Sequence, residues 1–240
     1  MLTMKKLTLV SFCAMALLSC GKESPKLTVT PTDIVLYADG TKQITTNATD
    51  ATFEVKDDFY ASVESNGIVT ANKVGETDII VSSAYGSASI PVTVLPQYTL
   101  YPDVDMLIGK NLSAVTAVMG SSYETTTNNG KPMYMYNNPT SYCEGIGFVF
   151  SGNTCDMILV AIPTTHTTKI TKALIERYDV AGMSNDIYYF LNHDRNVMIL
   201  LTVYSYKAIA VGYTAYDDTK ASNNALIPTE NFVEFLEHLN

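Results

Sequence analysis

The sequence predicts a β-rich chain in two parts. An antiparallel β-sandwich is expected over residues 27–95, then an α+β domain over 103–240 with a duplicated helix-strand-strand-strand unit and a C-terminal helix. Three observations carry this. Short alternating runs separated by turn residues every eight to twelve positions fill the first part. Pro96 and Pro102 bracket a linker, PQYTLYP, over residues 96–102. Beyond it, apolar residues at helical spacing precede groups of strand-like runs, and that order occurs twice.

At the start of the chain, Lys5 and Lys6 precede an apolar run, Leu7 to Leu18, broken only by Thr8 and Ser11. A spanning helix needs roughly 20 apolar residues. The run is therefore read as a signal-peptide core, residues 1–19, and not as an anchor helix. Its end, Leu17-Leu18-Ser19-Cys20, resembles the lipobox of bacterial lipoproteins. The resemblance implies cleavage before Cys20, a diacylglycerol on its thiol and a lipidated tether over 20–26. Acyl chains contribute about 0.8 kcal/mol per buried methylene, enough to hold a soluble domain at a bilayer. Gly21-Lys22-Glu23, with no Asp directly after the cysteine, is similar to the surface-export signal of Bacteroidetes lipoproteins. The expected location is the outer membrane, on its outer face, with membrane contact through the lipid anchor alone.

Composition excludes one class of partner. The chain has 15 Lys and Arg against 24 Asp and Glu, a net charge of −9. Without Lys5 and Lys6 the mature protein keeps 13 cations against 24 acids, a balance of −11. Phosphate backbones need clustered Lys and Arg, so no nucleic-acid partner is expected.

In the first part, KLTVTP, DIVLYADG, KQITTN, TFEV, SVES, GIVTANKVG, TDIIVSS and SIPVTVLP read in order as strands or strand-turn units. They are rich in Val, Ile and Thr, which suit a half-buried pleated surface. Asn66-Gly67 can take the positive φ that a tight hairpin needs. The stretch Val63 to Val94 resembles the bacterial Ig-like domain, group 2. The places that carry the likeness are Asn66-Gly67, Ile68-Val69-Thr70-Ala71, Gly75, Ile79-Ile80-Val81 and Val92-Thr93-Val94. The family's Trp-Ser strand is Phe53-Glu54-Val55 here, and the chain has no Trp. The resemblance implies an Ig-like sandwich acting as a spacer or an adhesion module, and a fold of this kind does not specify a function.

In the second part, Leu112, Val115, Ala117-Val118 and Met119 have helical spacing, with Gly120 as the stop. A polar loop, Ser121 to Lys131, leads to the strand runs PMYMYNN, CEGIGFVFSG and TCDMILVAIP. THTTKITKALIERYD is a helix with Ile170, Leu174 and Ile175 on one face, and DIYYFLN, NVMILLTVY and KAIAVGYTAY are strands. IPTENFVEFLEHLN closes the chain as a helix with Thr229 as N-cap and Phe232, Val233, Leu236 and Leu239 as its apolar face. The repeat matches Met133 with Ile187, Ile146 with Met198 and Met157 with Ile209. The opening helix LIGKNLSAVTAVMG and the element order also resemble the β-lactamase-inhibitor-protein fold.

Chemistry is sparse. His166, His193 and His238 stand in no HxxxH or HExxH pattern, so no metal residue is predicted. No GxSxG is present, Asp103-Val104-Asp105 lacks EF-hand spacing, and neither remaining cysteine sits in a nucleophile motif. No catalytic residue and no cofactor are expected. Cys143 and Cys155 would permit a disulfide in an exported protein. A turn at Gly152-Asn153 instead pairs Phe150 with Cys155 and sets Cys143 opposite Ile162, on the other face. The sulfurs would then lie roughly 23 Å apart along the ladder, against a limit of about 7 Å between Cα atoms. Both thiols are therefore expected to be free.

The chain has 16 tyrosines. If Met133 and Met135 face the helices, Tyr134 and Tyr136 face away, and the repeat sets Tyr188 beside them. These three are the expected binding surface, and the expected partner is a protein or a glycan. Two functions fit. One is a surface lipoprotein whose stalk presents an α+β binding domain for adhesion. The other is a periplasmic structural or inhibitor-like protein gripping a partner with its sheet face.

Overall fold

The computed structural model describes residues 25–204, 207–217 and 229–239. Cys20, with the leader and most of the tether, lies outside them. The described chain is mostly β, in several sheets. Its apolar residues sort into clusters that do not mix: one runs from Leu27 to Val94, and the others begin at Tyr98 and Met133.

Nine strands build the first unit: β1 (Val29–Thr30), β2 (Ile34–Tyr37), β3 (Thr41–Gln43), β4 (Thr45–Thr46), β5 (Thr52–Val55), β6 (Ala61–Val63), β7 (Ile68–Ala71), β8 (Gly75–Ser83) and β9 (Gly86–Leu95). They form sheets in the orders β2-β9-β8-β5, β3-β7-β6 and β1-β4. Alternation along β8 and β9 sends Ile79, Val81, Ile90 and Val92 inward, where they meet Ile34 and Val69 in a shared core. The sandwich is not wholly antiparallel: β2 runs parallel to β9, with Ile34 beside Val92. The two strands are far apart in sequence, so no hairpin imposes opposite directions.

In the second unit a 3-10 turn (Asp105–Leu107) precedes α1 (Leu112–Met119), capped by the Asn111 side chain accepting from Ala114 N–H at 3.0 Å. Then come β10 (Glu124–Asn128), β11 (Lys131–Thr140), β12 (Cys143–Ser151) and β13 (Thr154–Pro163). A further 3-10 turn (Thr164–His166) leads to α2 (Thr167–Ile175), followed by β14 (Asp179–Ser184), β15 (Ile187–Leu191), β16 (Val197–Val203), β17 (Ala208–Ala215) and α3 (Thr229–Glu237). The eight strands make one sheet in the order β10-β11-β12-β13-β17-β16-β15-β14, every neighbour antiparallel. Each half is thus a helix followed by a four-strand meander, and the halves meet at β13 and β17.

The fourth strand of each half corrects the expected order of helix and three strands. β10 lies inside the stretch read as a polar loop, and β14 precedes the first strand expected after α2. Both are sheet edges: ETTTN has no apolar residue, and DVAGMS, which carries Val180, Ala181 and Met183, is exposed throughout. The repeat offsets also shift. Val160 pairs with Val211, and both sit on the same face. Met157 and Ile209 belong to opposite faces, as do Ile146 and Met198, so neither is an equivalent pair.

Helices cover both faces of this sheet. On one, Val115, Ile170, Ala173 and Leu174 of α1 and α2 pack on Ile146, Phe148, Val160 and Val211. On the other, Phe232, Phe235 and Leu236 of α3 pack on Met133, Met135, Leu159 and Leu200. Here β12 is cut away: a Cβ at Gly145 would lie 2.4 Å from a Leu239 methyl, and one at Gly147 would lie 3.0 Å from the Phe235 ring. Ile175, expected on the buried face of α2, is exposed, and Ala173 takes its place. Phe235, fully buried, joins the face expected for α3, where Val233 is half-buried. The side chain of Thr229, the expected cap, lies outside the described residues.

Residues 96–102 do not act as a free tether. Leu100 and Tyr101 are buried in the second core, and the Tyr101 hydroxyl hydrogen-bonds that of Tyr213 at 2.7 Å.

Candidate functional site

The two units meet where the end of α2, the 96–102 segment, the loop at residues 56–60 and the β15–β16 turn converge. Glu176, only 5% exposed, lies at the centre. Its backbone carbonyl accepts the Val74 N–H of the first unit at 2.7 Å. Its carboxylate accepts the N–H groups of Gln97 and Tyr98, each at 3.0 Å, and Arg177 Nη1 at 2.6 Å. Arg177 also reaches Asp103 Oδ1 at 2.8 Å and the carbonyls of Tyr98 and Ala173, both at 3.0 Å. From the first unit, Lys73 Nζ donates to the Ile175 carbonyl at 2.8 Å. A cation there complements the negative end of α2 and occupies a carbonyl that has no partner within the helix.

A second contact lies beside this one. His193, in the turn between β15 and β16, sits against the first unit's Phe59 and Tyr60, edge-on to Phe59 (4.6 Å) and stacked on Tyr60 (5.2 Å). Its Nε2 lies 3.0 Å from Asp57 Oδ2, and its Nδ1 lies 3.3 Å from Asp194 Oδ1. Burial opposes charging the ring, but the hydrogen bonds and fields of Asp194 and Asp57 outweigh it and raise its pKa. Gly75 backs Tyr60: it has φ +148°, and a Cβ there would lie 2.2 Å from the tyrosine ring.

Between these contacts opens a cleft of about 310 Å³ lined by both units, with Tyr60, Asp103, Asp105, Tyr178, His193 and Asp194 among its walls. Its charges are unevenly matched. Asp103 and Glu176 hold Arg177, while Asp57 and Asp194 hold His193. Asp105 pairs with no cation among the described residues. Burial, reinforced by Asp103, raises its pKa. Tyr178 is itself buried, its ring 6.4 Å from Tyr213. The cleft therefore presents aromatic surface and an uncompensated carboxylate, which suits a cationic group.

Of the expected surface residues, Tyr136 is buried at 5% exposure, its hydroxyl donating to the Gly120 carbonyl at 2.8 Å. Tyr134 is half-buried, edge-on to Tyr123 and Phe150. The face opposite the methionines is covered by α1 and α2, so facing away from α3 does not mean facing water. Tyr188 is 48% exposed, but β15 is separated from β11 by four strands, so the three rings do not form one surface. Cys143 and Cys155 are free, as expected; Cys155 shares the core of Phe148 and Phe150, as expected, but so does Cys143, which was expected on the other face. Burial pushes each thiol up to about 12, which rules out a thiolate nucleophile near neutrality. A larger hollow, about 500 Å³ beside α3, is lined by residues that adjoin 205–206, outside the described residues.

Sequence reasoning placed His193 in a hairpin turn and missed its role, because Asp57 is 136 residues away. Glu176 carried no signal beyond being an acid at the end of a helix.

No family model matches the chain. No curated protein matches it either. Among solved structures the chain is similar to an EHEC O157:H7 intimin mutant, at 10% identity over 70% of this chain and 86% of that one, with a TM-score of 0.25. It is also similar to an extracellular protein containing a SCP domain from Bacillus anthracis str. Ames, at 12% identity over 58% of each chain and a TM-score of 0.28. Likenesses of this size assign this chain neither a fold family nor an activity.

Proposed function

We propose that this chain is a lipid-anchored binding protein of the cell envelope, acylated at Cys20 and displayed on the outer membrane. In this reading the first unit is an Ig-like spacer, and the α+β unit joins it to form a cleft for a positively charged group of an extracellular ligand. The carrying observation is Asp105, a carboxylate facing that cleft with no cation of its own among the described residues. An ammonium group between Asp105 and the tyrosines would supply the missing charge. The soluble chain starting after Cys20 should bind glucosamine oligomers on a glycan array in preference to their N-acetylated counterparts. Asp105→Asn should remove the preference. Equal binding of both forms, or of neither, would count against the cleft. Replacing Cys20 with Ala should release the protein from membranes or leave an uncleaved precursor, and unchanged attachment would refute the anchor.

A second reading draws on the exposed side chains Val180, Met183, Tyr188 and Val203 at the β14 end of the sheet. Met183 and Tyr188 are cross-strand partners. This apolar end suits a protein partner gripped by the sheet, as an inhibitor-like protein would grip it.

A further inference from the structure

We propose that His193 is a pH-dependent latch between the two units, closed when its ring is an imidazolium and loosened when the ring is neutral. Both ring nitrogens face carboxylates: Nε2 faces Asp57, from the first unit, and Nδ1 faces Asp194, from the turn that carries the histidine. Ionised carboxylates only accept. A neutral imidazole has one N–H, so one nitrogen would set its lone pair against an anion, whereas the imidazolium donates to both.

Other groups around the ring favour the charged form. Tyr60 presents its face to the ring, and a cation on an aromatic face is stabilised. Asp103 and Asp105 line the same cleft, and Arg177, the cation there, is already held by Asp103 and Glu176. Arg195 follows two residues on in the turn. Lys73 is directed to the Ile175 carbonyl and, at 3.9 Å, to Asp179. Asp57 is held in place from its own side: its Oδ1 accepts the Phe59 N–H at 3.1 Å, and its backbone N–H donates to Thr77 Oγ1 at 3.1 Å.

Because folding raises this histidine's pKa, the stabilisation is fully present below the unfolded value of about 6.5 and is lost as pH rises through the folded value. The latch therefore holds at mildly acidic pH and relaxes at alkaline pH. It stands on the His193 geometry alone. If the cleft also binds a ligand, the same histidine forms part of its wall and links capture to pH.

The test uses the soluble chain starting after Cys20, with spin labels at Val35→Cys and Met183→Cys, both exposed. The native thiols are buried and stay unlabelled. The distance distribution between the labels should be narrow at pH 6 and broader at pH 9. His193→Gln, whose amide has donors on one side only, should be broad at both. NMR titration of the His193 ring, assigned by its loss in that variant, should give a midpoint above that of a free histidine and coincident with the broadening. A distribution that does not change with pH, a His193→Gln protein that keeps the wild-type response, or a midpoint at or below the free value would overturn the latch. Absence of glucosamine binding leaves these readouts unaffected and refutes only the cleft ligand.

Discussion

Glu176→Ala removes the group on which the joint between the units converges. Three donors lose their acceptor: the N–H groups of Gln97 and Tyr98 and the Arg177 guanidinium. Hydrogen bonds to a charged group are worth about 1.5–3 kcal/mol each. Arg177 keeps Asp103 and two carbonyls, so the losses do not simply add. Removing one partner of a buried ion pair costs about 3–5 kcal/mol, and we expect that range here. Glu176→Gln should cost less, about 1–3 kcal/mol, because its oxygen still accepts while its amide opposes one backbone N–H. Urea denaturation of the soluble chain, followed by tyrosine fluorescence and far-ultraviolet circular dichroism, reads the difference. With a slope near the top of the usual range, about 3 kcal/mol per molar, the Ala variant should lose roughly 1–2 M of midpoint. A midpoint within about 0.2 M of wild type, or a Gln variant worse than Ala, would refute the reasoning.

Gly75→Ala should push Tyr60 out from beside His193 and cost about 1–3 kcal/mol by overpacking, seen as a lower melting temperature and a shifted His193 resonance. Neither Cys143 nor Cys155 should react with a thiol reagent at pH 8 in the native protein, and both should react in concentrated guanidinium; burial holds each near 12, far above that pH. Tyr136→Phe removes the hydroxyl that holds the Gly120 carbonyl at the end of α1 and should cost about 1 kcal/mol in urea.

Interior strands were legible because their text is strong. β12, β13, β16 and β17 carry Phe148, Ile158, Ile199 and Val211 in long apolar runs. The same runs held a clue to the error over the tyrosines. A strand apolar at nearly every position, such as Ile158–Ile162, is buried on both faces. Alternation told Tyr136 from Met135 correctly, but it carries no information on whether the second face is wet. β10 was missed because its text is wholly polar, and β14 because DVAGMS is short, lacks alternation and contains a glycine. The side assigned to Cys143 was wrong because alternation does not hold back to the first residue of β12: Cys143 shares the core of Phe148 and Phe150 although it lies an odd number of residues from each. The joint was illegible for another reason. Glu176, Asp57 and His193 each look ordinary in their own segments, and only the docking of two units makes them a set.

The central pair of strands has a consequence for how this chain meets its neighbours. Val160 and Val211, 51 residues apart, face each other, with Ile158 beside Tyr213 on one side and Ile162 beside Ile209 on the other. A pseudo-dyad passes between the two valines, as the axis of a homodimer passes through an isologous interface. The second unit is in effect a dimer tied into one chain, each half consuming the other's most adhesive edge. What is left for pairing with another molecule is β10, which has no apolar residue, and β14, whose pairing is irregular between Val180 and Gly182. An eight-stranded sheet built this way should stay solitary at the high local concentration that anchoring to a membrane would impose.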